Sequence, residues 1–102
     1  MAYTIEWTGG ALEDMRKVLE YLVNHWSYKT ADEFEEITLS RLDTLADTPL
    51  IGITSSANKA VRSILLTKHN KLYYQIAGNL IIVLNIFDTR QNPSKNKFEQ
   101  GS

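Results

Sequence analysis

The sequence predicts an α+β domain: an N-terminal strand, an antiparallel helical hairpin, then a three-stranded antiparallel meander. Three observations predict it. Tyr3, Ile5 and Trp7 alternate with Thr4 and Glu6, the period of a half-buried strand. Residues 8–48 carry apolar side chains at helical spacing, with one interruption at Ser27-Tyr28-Lys29. Beyond residue 59 the period changes, and three β-rich runs follow, separated by two-residue turns.

Thr8 is placed to cap the first helix, with Trp7 before it and Leu12 four residues after it positioned as a hydrophobic staple. Leu12, Met15, Leu19, Leu22 and Trp26 then step by three and four, giving an amphipathic stripe. Glu13 and Asp14 read as first-turn acids that complement the helix dipole. Thr30-Ala31-Asp32-Glu33 reads as a capping box for the second helix. That helix turns Ala31, Phe34, Ile37, Leu42 and Leu45 inward and ends before Pro49. So short a loop between the helices makes them antiparallel neighbours.

Residues 48–59 contain Pro49, Gly52 and Ser55-Ser56-Ala57-Asn58 and read as a loop. Runs 60–68, 71–77 and 80–87 are rich in Ile, Val, Leu and Tyr, with His69-Asn70 and Gly78-Asn79 between them. They form the second, third and fourth strands in chain order, joined as hairpins. Leu80 to Phe87 is apolar at nearly every position, as befits a central strand. The domain covers 1–93, and 94–102 is a polar tail with the composition of a disordered segment.

Composition narrows the chemistry. The chain has 102 residues, 43% of them hydrophobic, and no cysteine. Disulfides, thiolate metal sites and a cysteine nucleophile are therefore excluded. His25 and His69 are too far apart in sequence to suggest a metal site, and no metal or other cofactor is expected. No phosphate-binding glycine loop, G-x-S-x-G elbow or H-x-x-x-H pair occurs. The N-terminus lacks the pattern of a signal peptide, and the longest apolar run, Leu80–Leu84, is far short of a membrane span. A soluble, cytoplasmic protein is expected.

Charge is divided along the chain. Residues 1–58 hold four basic side chains against ten acidic ones, whereas residues 59–102 hold seven against two. The overall charge of −1 thus conceals an acidic helical half and a basic sheet half. Arg62 in the second strand, Lys71 early in the third and Arg90 after the fourth are candidates for one phosphate-binding or partner-binding spot, with Tyr73 beside Lys71 as a stacking ring. For Arg90 a local bridge to Asp88 is the competing role. His69 reads either as an exposed turn residue or as an acid–base group. His25 reads as a packing or dipole-favoured residue at a helix end.

Ile5-Glu6-Trp7-Thr8 followed by Ala11-Leu12-Glu13-Asp14, the hairpin with Tyr21 and Ala31 to Phe34, and Val61-Arg62 through Tyr73-Tyr74-Gln75-Ile76 to Ile86-Phe87-Asp88-Thr89-Arg90-Gln91-Asn92-Pro93 together resemble the RelE/ParE superfamily of type II toxin–antitoxin toxins. The resemblance spans residues 3–93. It implies a toxin neutralised by a cognate antitoxin, and two activities divide the superfamily. RelE-like members cleave mRNA in the ribosomal A site, using basic residues and a C-terminal tyrosine or histidine. ParE-like members poison DNA gyrase without cleaving anything themselves.

By the resemblance, Arg62, Lys71 and Arg90 match basic positions of the family. Past Arg90, however, there is no tyrosine or histidine, Phe98 stands near the expected place, and Asp88 replaces a histidine of several relatives. His69 and Tyr73 are weak substitutes for the missing proton-transfer group. The long hairpin and the Asp-Thr-Arg-Gln-Asn-Pro ending lie closer to the ParE side. The resemblance therefore implies a gyrase inhibitor first and a ribosome-dependent endonuclease second. A third option is a remnant that binds antitoxin without toxicity. An antitoxin segment is expected over the hairpin and sheet edge, its acidic part over the Arg62/Arg90 region. Without the antitoxin, exposed apolar surface leaves self-association open.

Overall fold

The computed structural model describes residues 2–90 and Phe98. Strand β1 (Thr4–Trp7) leads into helix α1 (Gly9–His25), then helix α2 (Tyr28–Asp47) and a 3₁₀ turn at Pro49–Ile51. Strands β2 (Ile53–Thr54), β3 (Val61–Thr67), β4 (Asn70–Ala77) and β5 (Leu80–Asp88) complete the domain. The sheet order is β1-β5-β4-β3-β2, with β5 central to the β1 and β4 pairings. The expected second, third and fourth strands are thus β3, β4 and β5. Of the expected tail over 94–102, only Phe98 falls within the described residues.

Two features of the sheet go beyond the alternation of the sequence. β1 pairs with β5 in parallel, Ile5 beside Ile81 and Trp7 beside Val83, so the sheet is mixed. Parallel neighbours need a long connection, and the helices and meander supply it. The segment read as loop also contains β2, which pairs Ile53 with Ser63 and Thr54 with Arg62. Two residues are too few for periodicity to reveal.

Thr8 caps α1 as expected: its hydroxyl accepts from the Ala11 amide at 3.1 Å and donates to the Val83 carbonyl at 2.9 Å. The cap therefore also fastens the helix to β5. Because α1 starts at Gly9, Glu13 and Asp14 lie beyond its first turn. Glu13 binds Arg16, and the Asp14 carboxylate accepts from the Ile86 amide of β5 at 3.0 Å. The α1 stripe is also rotated from expectation. Leu12 and Trp26 are largely exposed, while Ala11, Met15, Val18, Leu19 and Leu22 belong to or pack against the core.

α2 is capped by Ser27 instead of Thr30, with the Ser27 hydroxyl accepting from the Thr30 amide at 3.0 Å. The serine thereby draws Tyr28 and Lys29 into the helix and shortens the connection to Trp26–Ser27. Ala31, Phe34, Leu42 and Leu45 are buried as expected, but Thr38 takes the place given to Ile37. A buried threonine is tolerated because its hydroxyl donates to the Phe34 carbonyl one turn back, at 2.9 Å.

Both helices lie on one face of the sheet, and the core between the layers joins Ala11, Phe34, Leu42 and Leu45 to Leu66, Leu72, Tyr74, Ile81, Val83 and Ile86. The β4–β5 turn contains Gly78 at φ +61°, a conformation that glycine adopts without steric cost. Leu84 is an extra residue in β5 where its pairing shifts between Tyr73/Asn85 and Tyr74/Val83. This bulge allows the side chains on both sides of it to keep their faces.

Candidate functional site

Arg62 belongs to a corner where the sheet meets the 3₁₀ turn. It stands opposite Tyr74 in the ladder, which puts it on the helix-facing side. Its guanidinium donates to the Gly52 carbonyl at 2.8 Å and to the Leu50 carbonyl at 3.3 Å. Tyr74 ties the same turn from within: its hydroxyl donates to the Pro49 carbonyl at 2.6 Å and accepts from the Gly52 amide at 3.0 Å. A side chain at position 52 would meet the Tyr74 hydroxyl at 2.4 Å, so only glycine fits. Burial pushes the Tyr74 phenol above its ordinary pKa.

Lys71 lies on the other face. It pairs with Leu65 and Phe87, and its ammonium sits 5.5 Å from the centre of the Tyr73 ring, a cation–π arrangement. Tyr73 is fully buried, stacked on Phe98 at 5.5 Å between centroids, and the Phe98 carbonyl accepts from the Ser55 hydroxyl. Tyr73, a candidate for base stacking, is thus covered by a ring of its own chain.

Arg90 stands at the end of β5, 60% of its side chain exposed. Its Nε and Nη2 donate to the two oxygens of Asp88 at 3.0 and 2.8 Å, and its amide donates to the same carboxylate at 2.9 Å. The arginine holds the Asp88 carboxyl below the usual carboxylate range, and the carboxylate raises the guanidinium in turn. Thr89 joins this end to the β3–β4 turn, its amide donating to the His69 carbonyl at 2.9 Å and its hydroxyl to the Lys68 carbonyl at 3.0 Å.

His69 and Arg90 therefore share a groove of about 1000 Å³ between the helical hairpin and the sheet end, lined also by Lys17, Tyr21, Trp26, Glu33 and Phe34. His25 lies nearby on α1, its ring stacked on Tyr21 at 4.3 Å and Nδ1 3.0 Å from the Tyr21 carbonyl. That is the packing role its helix-end position indicated.

The expected gathering of Arg62, Lys71 and Arg90 into one positive spot does not occur. Arg62 pairs with Tyr74, three residues from Lys71 on β4, and an odd separation on one strand means opposite faces. Arg90 stands at the strand end beside its carboxylate. The groove residues Lys17, Tyr21, Trp26 and Glu33 were not among the sequence candidates. The available signal was Trp26, an aromatic at the end of the helical stripe that is 71% exposed. Among the described residues no group of three or more His, Asp or Glu is arranged to hold a metal ion, and no helix is long and apolar enough to cross a membrane.

Comparison with known proteins is consistent with this architecture. Residues 5–93 match the family model described as ParE toxin of type II toxin-antitoxin system, parDE. The fold is shared with a protein of the chromosomal ParDE toxin–antitoxin system from P. aeruginosa, at 18% identity and TM-score 0.72, over 85% of this chain and 96% of that one. It is shared with a chain of the toxin–antitoxin complex RelBE2 from Mycobacterium tuberculosis, at 17% identity and TM-score 0.61, over 86% and 99%. The isolated E. coli RelE toxin aligns at 15% identity and TM-score 0.59, over 89% and 88%. A comparison with curated protein sequences gives no match.

Proposed function

This chain belongs to the ParE toxin family of type II toxin–antitoxin systems, and we propose that it arrests growth by binding DNA gyrase and that a cognate antitoxin neutralises it. The observation that supports a binding role over phosphodiester cleavage is the dispersal of the three cations. A nuclease of this size needs several donors converging on one phosphate as charge develops. Here Arg62 is engaged by two backbone carbonyls, Arg90 by a carboxylate, and Lys71 lies on the opposite face of the sheet from Arg62. An aspartate beside Arg90 also repels a phosphodiester. No tyrosine or histidine follows Arg90 in the sequence to move a proton.

The groove between hairpin and sheet end is the proposed target surface, with Arg90 and Lys17 as exposed cations and Tyr21 and Trp26 as aromatic anchors. Lys71, on the opposite face of the sheet from Arg62, lies outside this groove. Purified toxin is expected to inhibit gyrase in a supercoiling assay, and Arg90→Ala is expected to weaken that inhibition by about tenfold or more. Unaffected supercoiling at stoichiometric excess of toxin would remove this target.

A RelE-like reading draws on one observation, the shared groove of His69 and Arg90. It requires codon-internal cuts in toeprints of stalled translation complexes that disappear in His69→Ala. Induced expression that leaves growth unaffected would instead point to a non-toxic, antitoxin-binding remnant.

A further inference from the structure

The end of β5 fixes three consecutive residues. The Asp88 carboxylate accepts from Nε, Nη2 and the backbone amide of Arg90 at 3.0, 2.8 and 2.9 Å. One carboxylate thus holds both the side chain and the main chain of the arginine. Thr89, between them, is tied to the β3–β4 turn through the His69 and Lys68 carbonyls. Arginine offers five N–H donors in a rigid plane, and Asp88 takes two of them side-on. Both hydrogens of Nη1 and the second of Nη2 are left, and among the described residues no acceptor meets them. They form an end-on fork on a side chain that is 60% exposed.

The groove that Arg90 lines sets what this fork can take. Its charged lining residues, among those described, are Lys17 and Arg90 against Asp14, Glu33 and Asp88, with His69 beside them. Carboxylates outnumber the fixed cations, so a run of phosphates is disfavoured. A single carboxylate at the fork meets the guanidinium in bidentate geometry. Tyr21 and Trp26, both largely open to solvent, supply apolar surface around it.

We propose that Asp88 is a positioning residue, which aims the free fork of Arg90 at one acidic side chain of the target protein. This rests on the reading above that the groove is the target surface. Trading Asp88 for the partner's carboxylate would cost little, but it would release the guanidinium plane and the tie to the Arg90 amide together. With Asp88 in place the arginine is ordered before the partner arrives, and less rotamer entropy is lost on binding. The aspartate therefore aids the binding of an acid, although its own charge opposes one.

Inhibition of gyrase supercoiling by the full chain and its variants tests the proposal. Asp88→Ala is expected to weaken inhibition by about fivefold or more, the opposite sign from that of removing a repelling charge. Arg90→Lys, which keeps the charge but not the fork, should lose about as much as Arg90→Ala. Asp88→Ala should add nothing further in the Arg90→Ala background. Nitrogen–proton NMR of the free protein gives a readout that a merely structural role would not move. The Arg90 Nε–H resonance should be resolved in the parent and lost to solvent exchange in Asp88→Ala, with the melting temperature nearly unchanged.

Equal or stronger inhibition by Asp88→Ala would overturn the inference and make the aspartate a bystander or a mask. Saturable movement of the Nε–H resonance by a short DNA duplex would also overturn it, giving the fork to phosphate. If the parent leaves supercoiling unaffected, the gyrase reading fails, and growth arrest on induced expression decides instead. Arrest that is lost in Asp88→Ala keeps the inference, and full arrest by that variant removes it. A parent that neither inhibits gyrase nor arrests growth removes both.

Discussion

Arg62 and Arg90 look alike in the sequence, one a cation within a β-rich run and the other a cation just after one, yet they occupy opposite kinds of surroundings. Arg62 sits in the corner built by Pro49–Gly52 and Tyr74, where its guanidinium and the tyrosine hydroxyl hold the same short turn from two sides. Arg90 sits at a strand end, 60% of its side chain exposed and, among the described residues, paired with the Asp88 carboxylate. The first corner has few alternative arrangements, because a buried hydroxyl and a backbone amide there have no water to replace their partners. The second can exchange its carboxylate for water or for a partner protein at little cost. A cation that closes the fold and a cation that is available for binding are thus separated by their neighbours, not by their residue type.

Gly52→Ala is expected to strain the comparison most. Its added methyl would meet the Tyr74 hydroxyl at 2.4 Å, an overpacking that costs about 2–3 kcal/mol. Thermal unfolding should show a fall of about 10 °C or more for a domain of this size. A melting temperature equal to that of the parent chain would mean the corner is not close-packed.

Tyr74→Phe comes next. It leaves the Gly52 amide and the Pro49 carbonyl without their phenol partner, a loss of about 1–3 kcal/mol. The same residue gives an alkaline signature. Its folded pKa is raised by burial, so the stability it supports is complete below the ordinary tyrosine value and is lost as pH rises through the folded one. Stability should decline above about pH 10, and less steeply in Tyr74→Phe. Equal alkaline slopes in urea titrations would contradict the burial of that hydroxyl.

Arg62→Met is expected to cost about 1–2 kcal/mol through the two carbonyls it abandons. Combined with Tyr74→Phe it should be non-additive by about 0.5 kcal/mol or more, since both side chains hold one turn. Strict additivity in the double-mutant cycle would show the two ties to be independent.

Arg90→Ala should have the smallest effect on stability at neutral pH, because its pair is largely solvated. Asp88 has a lowered folded pKa, so the pair's contribution is present above the ordinary carboxylate range and fades as pH falls through the lowered value. The difference between parent and variant should therefore shrink in acid. A loss as large as that of Arg62→Met would erase the distinction between the two corners.

Much of this was legible from residue order alone. The alternation of Tyr3, Ile5 and Trp7, the apolar spacing of both helices and the Gly78-Asn79 turn each express a local geometry, and Thr8 is the cap its position indicated. Local rules ran short where two local signals competed. Ser27 and Thr30 are both good caps, and the earlier one extends α2 by a turn. Likewise the α1 stripe includes Leu12 by spacing, but the sheet lies against Ala11 and Val18. The site was less legible than the fold. The sheet face on which Arg62 lies relative to Lys71 depends on which residue of β4 stands beside it, and that register is a long-range fact.

Composition and periodicity determined the helices, the three long strands, their order and the division into acidic and basic halves, because each follows from residues near one another in the chain. Only the packed structure decided that β1 runs parallel to β5, that two residues form β2, that Tyr73 is covered by Phe98 and that the three cations part company. The reason is physical: side-chain period selects an element and its apolar face, whereas partner, direction and register are chosen by the total burial and hydrogen bonding of distant segments at once.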